Sequence, residues 1–203
     1  MARPKLNIFM DKDYLHYFVC KDNLLTEDEL QKTIEMCDKL ILRNAGVMSS
    51  DGTVYRGTNI RSSKNSFIRE NEETTWLFEK CRNIVNKINE ETFGYDLSYG
   101  FDYFQYAEYN ENDQFNFHLD TMLGKNSKID KPRKLSISLI LSDNSEYEGG
   151  DFQFYMGGTG VDTIEQAKGR FILFPSFLVH RVTPIKSGVR KSLVFWMQGP
   201  KFR

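Results

Sequence analysis

From about Tyr95 to Gln198 the chain alternates apolar and polar residues with a period of two, broken repeatedly by Gly, Asn, Asp and Pro. Side chains two apart share one face of a strand, so this pattern describes strands that each bury one face and are joined by turns. The segments 98–109, 115–120, 134–142, 151–156, 170–174, 178–183 and 189–198 are predicted strands. The N-terminal half reads differently. Thr26 with Glu29 makes a capping box, Leu30, Ile34, Cys37 and Ile41 follow at helical spacing, and Gly46 lies near the expected end. A second stripe, Leu77, Cys81, Ile84 and Ile88, stops near Gly94. Helices followed by many short strands predict helices packed on a β-sandwich or barrel, mainly β with supporting helices (α+β). No repeat, low-complexity tract or Pro/Ser-rich linker divides the chain. The expectation is one domain over 1–203, with helical support at about 24–93 and a β core at about 95–200.

Composition narrows the function classes. Lys and Arg total 27 against 28 Asp and Glu, a net charge of −1, which argues against a general nucleic-acid or anionic-membrane binder. No segment approaches the ~20 apolar residues of a membrane span, and the opening MARPKLNIFMDKDYL lacks the apolar core of a signal peptide. Cys20, Cys37 and Cys81 are odd in number and without CxxC spacing, so neither a disulfide framework nor a zinc site is expected and a reducing, cytoplasmic compartment fits. Cys37 and Cys81 sit on the helical stripes and read as small buried hydrophobes. The polar, basic stretch 121–132 reads as a mobile loop.

The chemistry-bearing residues are few. Histidine occurs at 16, 118 and 180. In Phe115-Asn116-Phe117-His118-Leu119-Asp120, strand alternation sends Phe115, Phe117 and Leu119 one way, and Asn116, His118 and Asp120 the other. His118 and Asp120 then project together as two ligands of one metal, and a second strand could deliver His180 as the third. Two imidazoles and one carboxylate on one side of an ion describe the facial triad of non-heme Fe(II) oxygenases, which leaves positions open for a co-substrate and dioxygen. Taken alone, an HxD pair is more simply a core or surface histidine near an acid. Ten residues beyond His180, Arg190 opens a strand on which Arg190, Ser192, Val194 and Trp196 share a face. A guanidinium turned into a barrel requires an anion and matches a carboxylate with two parallel hydrogen bonds. Tyr109 could add a phenolic donor to the same carboxylate.

His118-x-Asp120, Glu148-Gly149-Gly150-Asp151, Phe174-Pro175 before His180, and Arg190-x-Ser192 together resemble the iron(II)/2-oxoglutarate-dependent dioxygenases over about residues 55–198. The resemblance is closest to the prolyl 4-hydroxylase catalytic domain in its small microbial or phage form. It implies a double-stranded β-helix (jelly-roll) core, iron on His118, Asp120 and His180, and 2-oxoglutarate on Arg190 and Tyr109, with Ser192 beside them. It further implies Fe(II) and 2-oxoglutarate as cofactor and co-substrate, ascorbate as accompanying reductant, dioxygen, and a proline-containing peptide or protein as substrate. Arg61-Ser62-Ser63 is similar to that branch's Arg-Thr-Ser segment over the peptide channel, which makes Arg61 and Ser63 substrate candidates; Arg133, Gln105 and Trp196 also align. At other positions the chain departs from the pattern: Asn112 replaces a glycine, Phe115 a tyrosine, Phe152 a threonine, Gln198 a histidine and Asp102 a glutamate. The alternatives are a hydroxylase of a free amino acid or other small molecule, an AlkB-like nucleic-acid demethylase, a cupin-like isomerase and a non-catalytic jelly-roll module. Trp196 stands where the AlkB pattern carries a second arginine.

Overall fold

The period-two half resolves into facing antiparallel sheets in a computed structural model, which describes residues 17–48, 54–56, 60–121 and 130–202. In chain order the elements are β1 (Val19–Lys21), α1 (Glu27–Asp38), β2 (Arg43–Asn44), β3 (Gly46–Met48), β4 (Val54–Arg56), β5 (Arg61–Ser62), β6 (Lys64–Arg69) and α2 (Thr75–Ile88). There follow β7 (Tyr103–Tyr109), β8 (Gln114–His118), β9 (Arg133–Ile140), β10 (Tyr147–Gly149), β11 (Phe152–Tyr155), β12 (Val161–Ile164), β13 (Phe171–Pro175), β14 (His180–Val182), β15 (Ile185–Gly188) and β16 (Arg190–Gln198). The larger sheet orders β1-β13-β9-β16-β7-β6-β2 and the smaller β12-β11-β14-β8-β5, with β3–β4 and β10–β15 as separate two-stranded ladders. This is the expected jelly-roll with supporting helices.

Alternation assigns each strand of the larger sheet two different faces. On β16, Leu193, Phe195 and Met197 face the helices; on β9, Leu135, Ile137 and Leu139 do the same, and on β7, Phe104 and Tyr106. They meet Leu77, Phe78, Cys81 and Val85 of α2 and Leu30 and Cys37 of α1. Phe78 is fully buried, stacked on Phe101 at 5.0 Å and against Phe104 at 4.4 Å. Burying such a side chain contributes roughly 1.5–3 kcal/mol. The opposite faces of β7, β9 and β13 give Ala107, Tyr109, Ile140, Ile172 and Phe174, which pack on Phe152, Phe154 and Val182 of the smaller sheet. This second core closes one end of the inter-sheet space. The other end stays open.

The capping box forms as predicted, with Thr26 and Glu29 exchanging hydrogen bonds. The first helix is shorter than its apolar stripe, however. It stops at Asp38, Leu40 turns back to the Cys37 carbonyl at 3.0 Å, and Ile41 is 83% exposed. The chain is drawn out of the helix because Arg43 and Asn44 pair with Asn65 and Lys64 of β6, and Gly46 belongs to a strand rather than a helix end. Helix α2 runs through its predicted stripe and, after one wider turn, ends at Gly94, whose φ of +66° suits a residue without a Cβ. The stretch between the helices, for which the pattern gave no strand, holds β2 to β6. These strands are short, and sheet pairing rather than alternation defines them. Most of the expected loop 121–132 lies outside the described residues, as does His16. Asn112 takes φ +66°, the left-handed turn conformation that the motif's glycine would occupy.

Candidate metal centre and carboxylate recess

His118 closes β8 and His180 opens β14, and the two are direct cross-strand partners. Their ring centroids lie 4.2 Å apart. Asp120 is held two residues beyond β8 by its backbone N–H, which donates to the Ser176 carbonyl at 2.9 Å. Its Oδ1 is 3.6 Å from His118 Nε2 and its Oδ2 is 3.6 Å from His180 Nε2. One ligand atom from each of the three residues falls within 4.8 Å of the others. These separations are too long for hydrogen bonds and suit atoms arranged around a common ion.

The backbone orients both imidazoles. His118 Nδ1–H donates to the Asn116 carbonyl at 2.8 Å, and His180 Nδ1–H to the Leu178 carbonyl at 2.9 Å. In each case the acceptor is two residues back, which fixes the tautomer and leaves Nε2 lone pairs toward Asp120. Burial, reinforced by the neighbouring His180, holds His118 well below its usual value, so its ring is neutral at physiological pH. Burial alone would raise the Asp120 carboxyl, but His180, His118 and Arg133 outweigh it and keep the group ionised.

The local reading of β8 requires one correction. Phe115 does not face away from His118: the two rings stack with centroids 3.4 Å apart and planes 10° apart. Between the pairs His180–His118 and Val182–Phe115 the register shifts, with three steps on β8 against two on β14. This bulge breaks strict alternation and brings both rings to the cleft side. Arg61 lies over Phe115 at 4.6 Å, giving an Arg61–Phe115–His118 stack, and its Nε donates to Ser63 Oγ at 2.9 Å. Ser63 therefore holds Arg61 rather than lining the cleft itself.

On β16, Arg190, Ser192, Val194 and Trp196 all face the cleft, as the alternation predicts. Arg190 is only 1% exposed and pairs across the ladder with Tyr109 of β7. Its Nε donates to Gln166 Oε1 at 2.8 Å and its Nη1 to Ser192 Oγ at 3.3 Å. Its Nη2 is buried and makes no hydrogen bond among the described residues. Burial lowers the pKa of this guanidinium, and the neighbours that oppose the shift are Tyr109 and Tyr147, not a carboxylate. A buried, charged donor without an anion is costly to maintain, and a ligand carboxylate completes it. On the opposite wall Arg133 covers the Trp196 ring at 3.7 Å and donates through Nη1 to the Asp120 carbonyl at 3.2 Å. The triad, Arg190, Tyr109, Ser192, Arg61, Arg133, Trp196 and Gln105 line one cleft of about 960 Å³. Asp102 lies exposed just before β7 and outside it.

Two contributors were not identified as functional from sequence. Gln166 sits in the segment between β12 and β13, accepts from Arg190 and donates from Nε2 to the Gly150 carbonyl at 2.9 Å. Nothing in Glu165-Gln166-Ala167 distinguishes it from a solvated glutamine. Gly150, noted only as part of a motif, has φ +64°, and a Cβ there would meet Ile185 Cδ1 at 2.4 Å and Arg190 Cδ at 3.0 Å. Its missing side chain makes room for the arginine stem.

Residues 104–198 match the family model described as 2OG-Fe(II) oxygenase superfamily. The chain is similar to this superfamily over that stretch, just under half of its length. A PKHD-type hydroxylase of Shewanella oneidensis is 34% identical over 93 residues, which cover 46% of this chain and 41% of that one. The match thus spans about two fifths of the relative's length. Among solved structures, a Pseudomonas putida prolyl-4-hydroxylase superposes with TM-score 0.68 at 20% identity, covering 92% of this chain and 94% of that one. A Trichoplax adhaerens prolyl hydroxylase, solved with a hypoxia inducible factor peptide fragment, gives TM-score 0.67 at 19% identity over 89% and 82% of the two chains. At these identities the superpositions establish a shared fold. That superfamily implies Fe(II) and 2-oxoglutarate, and this chain has residues that fit both. Two imidazoles and an ionised carboxylate could hold the ion, while the Arg190 Nη2 could take a carboxylate. Among the described residues no helix is long and apolar enough to cross a membrane, and Cys20, Cys37 and Cys81 are all free.

Proposed function

We propose that the chain is an Fe(II)- and 2-oxoglutarate-dependent hydroxylase of proline within peptides, with His118, Asp120 and His180 as metal ligands and Arg190, Ser192 and Tyr109 around the co-substrate. The observation that carries this reading is the convergence of three ligand atoms within 4.8 Å, beside a buried guanidinium with an open N–H. When bound, Fe(II) and 2-oxoglutarate supply the oxidising chemistry that places one oxygen atom of dioxygen on a substrate C–H, with succinate and carbon dioxide as co-products.

The protein's part is geometric. Backbone carbonyls fix both rings, and Asp120 stays anionic without a proton to lose. Arg190 is held by Gln166 and Ser192, so its free edge awaits the far carboxylate already oriented. The Arg61–Phe115–His118 stack forms one wall over the triad and Arg133–Trp196 another. Both put flat, partly apolar surfaces where a proline ring would sit and where water must be excluded. Ascorbate serves as reductant in this reading, the helical and β segments act as one catalytic domain over 1–203, and the free cysteines agree with a cytoplasmic setting. The prolyl hydroxylase neighbours, one with a bound peptide, support a peptide over a free amino acid.

The test is mass spectrometry of proline-containing peptides and free proline after incubation with Fe(II), 2-oxoglutarate, ascorbate and air, with succinate measured in parallel. One added oxygen on peptidyl proline is expected. Oxygen appearing on free proline alone would replace the peptide reading by the small-molecule one, and absence of succinate under every condition would end the hydroxylase reading.

A further inference from the structure

The cleft is one-sided in charge. Among the described residues that line it, Asp120 is the single carboxylate, against Lys39, Arg43, Arg61, Lys131, Arg133 and Arg190. On the hydroxylase reading Asp120 and Arg190 are committed to metal and co-substrate, and a divalent ion with a dianionic co-substrate adds no net charge. Lys39, Arg43 and Lys131 are exposed, Arg133 is half-buried, and none of the four forms an ion pair among the described residues. The whole chain carries −1, so this excess belongs to the cleft and is not inherited from composition.

Two further features demand acceptors. Trp196 is 7% exposed and its indole N–H has no hydrogen-bond partner among the described residues. Strand β2, which brings Arg43 to the rim, ends the larger sheet and among the described residues pairs only with β6, so its other edge offers backbone groups to an extended chain. At about 960 Å³ the cleft is at the upper limit for a drug-sized ligand and runs out to the exposed Ile41, which suits a polypeptide segment better than one amino acid. A polynucleotide would call for a basic track continuing over the outer surface, whereas here the charge is balanced over the chain.

We propose that the cleft takes an acidic polypeptide segment, with Asp or Glu side chains flanking the residue presented to the triad. This rests on the hydroxylase reading, and the experiment separates the two. Fluorescent peptides of equal length, each with a central proline flanked by glutamates, glutamines or lysines, are titrated by anisotropy into the protein loaded with Mn(II) and 2-oxoglutarate. Binding of Mn(II) and 2-oxoglutarate is measured first, and its failure overturns the hydroxylase reading itself. With those bound, the glutamate peptide should bind at least about tenfold more tightly than the glutamine peptide, since several exposed charge pairs each add a few-fold. That advantage should shrink as salt is added. The reversal Arg43→Glu with Lys131→Glu should invert the order of the glutamate and lysine peptides. Equal binding of the glutamate and glutamine peptides overturns the proposal. So does displacement by free glutamate at the peptide's own concentration, or tighter binding of a single-stranded oligonucleotide.

Discussion

Replacing Gln166 by Glu alters the charge beside Arg190 while leaving the shape of the recess almost untouched. Gln166 Oε1 lies 2.8 Å from Arg190 Nε, and the open Nη2 is on another edge of the same guanidinium. A carboxylate at position 166 and one seated on Nη2 would be roughly 6 Å apart, and at an effective dielectric of about 20 they repel by about 2.8 kcal/mol. That converts to about a hundredfold loss of 2-oxoglutarate affinity. Fold stability should change less, because two effects oppose. The new carboxylate gives the buried guanidinium a counter-charge, but the amide donor to the Gly150 carbonyl, 2.9 Å away, is lost, at a cost of about 1–3 kcal/mol. Gln166→Met separates charge from hydrogen bonding. It leaves Arg190 Nε unsatisfied and should destabilise the fold by about 1.5–3 kcal/mol. Its effect on affinity should be smaller, because the bond is missing from both the free and the bound protein. The assay is calorimetric titration of 2-oxoglutarate into the Mn(II)-loaded variants, with thermal unfolding alongside. A folded Gln166→Glu protein that binds 2-oxoglutarate as tightly as the parent would refute the assignment of Arg190 as anchor.

Four other outcomes are expected. His118→Ala and Asp120→Ala should each lower metal affinity by more than ~100-fold, exceeding what loss of an outer hydrogen-bond partner costs; equilibrium dialysis with metal analysis measures it, and unchanged affinity removes the residue from the metal site. Gly150→Ala combines a positive φ with a Cβ 2.4 Å from Ile185 Cδ1 and 3.0 Å from Arg190 Cδ; it should cost about 2–5 kcal/mol of stability and weaken 2-oxoglutarate binding together. Phe78→Ala empties a fully buried site on the helix side of the larger sheet; denaturant melts should show a loss of about 3–5 kcal/mol, while 2-oxoglutarate affinity of the folded protein stays the same. Arg170 grips both oxygens of Asp22 at 2.7 Å and so lowers the Asp22 pKa. Its stabilisation is present above the unfolded carboxyl value and lost as pH falls through the folded one. Asp22→Asn should flatten that acid limb of the stability curve by at most ~1 kcal/mol, since the carboxylate is largely exposed.

The alternation of β9 and β16 was legible because one face packs apolar side chains on the helices while the other carries the polar side chains that line the cleft; β13, buried on both faces, reads instead as the apolar run Phe171-Ile172-Leu173-Phe174. Arg190, Ser192, Val194 and Trp196 shared a face for that reason alone. The helices were legible from stripe and cap, but their ends were not equally so. Gly94 stops the second through its own conformational freedom, whereas the first stops because Arg43 and Asn44 are claimed by a strand far ahead in the chain, at Asn65 and Lys64. Short edge strands such as β2 and β12 bury too little to leave a pattern, and β5 is only two residues long; pairing partners define them.

What the sequence determined by itself is the set of local relations: which residues alternate, where a helix can be capped, and that His118 and Asp120 are close enough in the chain to serve one ion. These follow from covalent spacing and from the cost of misplacing apolar or charged groups. What only the tertiary structure decided is everything that depends on a neighbour distant in the chain. The β8–β14 bulge turned Phe115 onto His118, Gln166 came across to hold Arg190, and the rim cations gathered around one carboxylate. No local energy distinguishes these arrangements, because each is set by how two sheets register against one another.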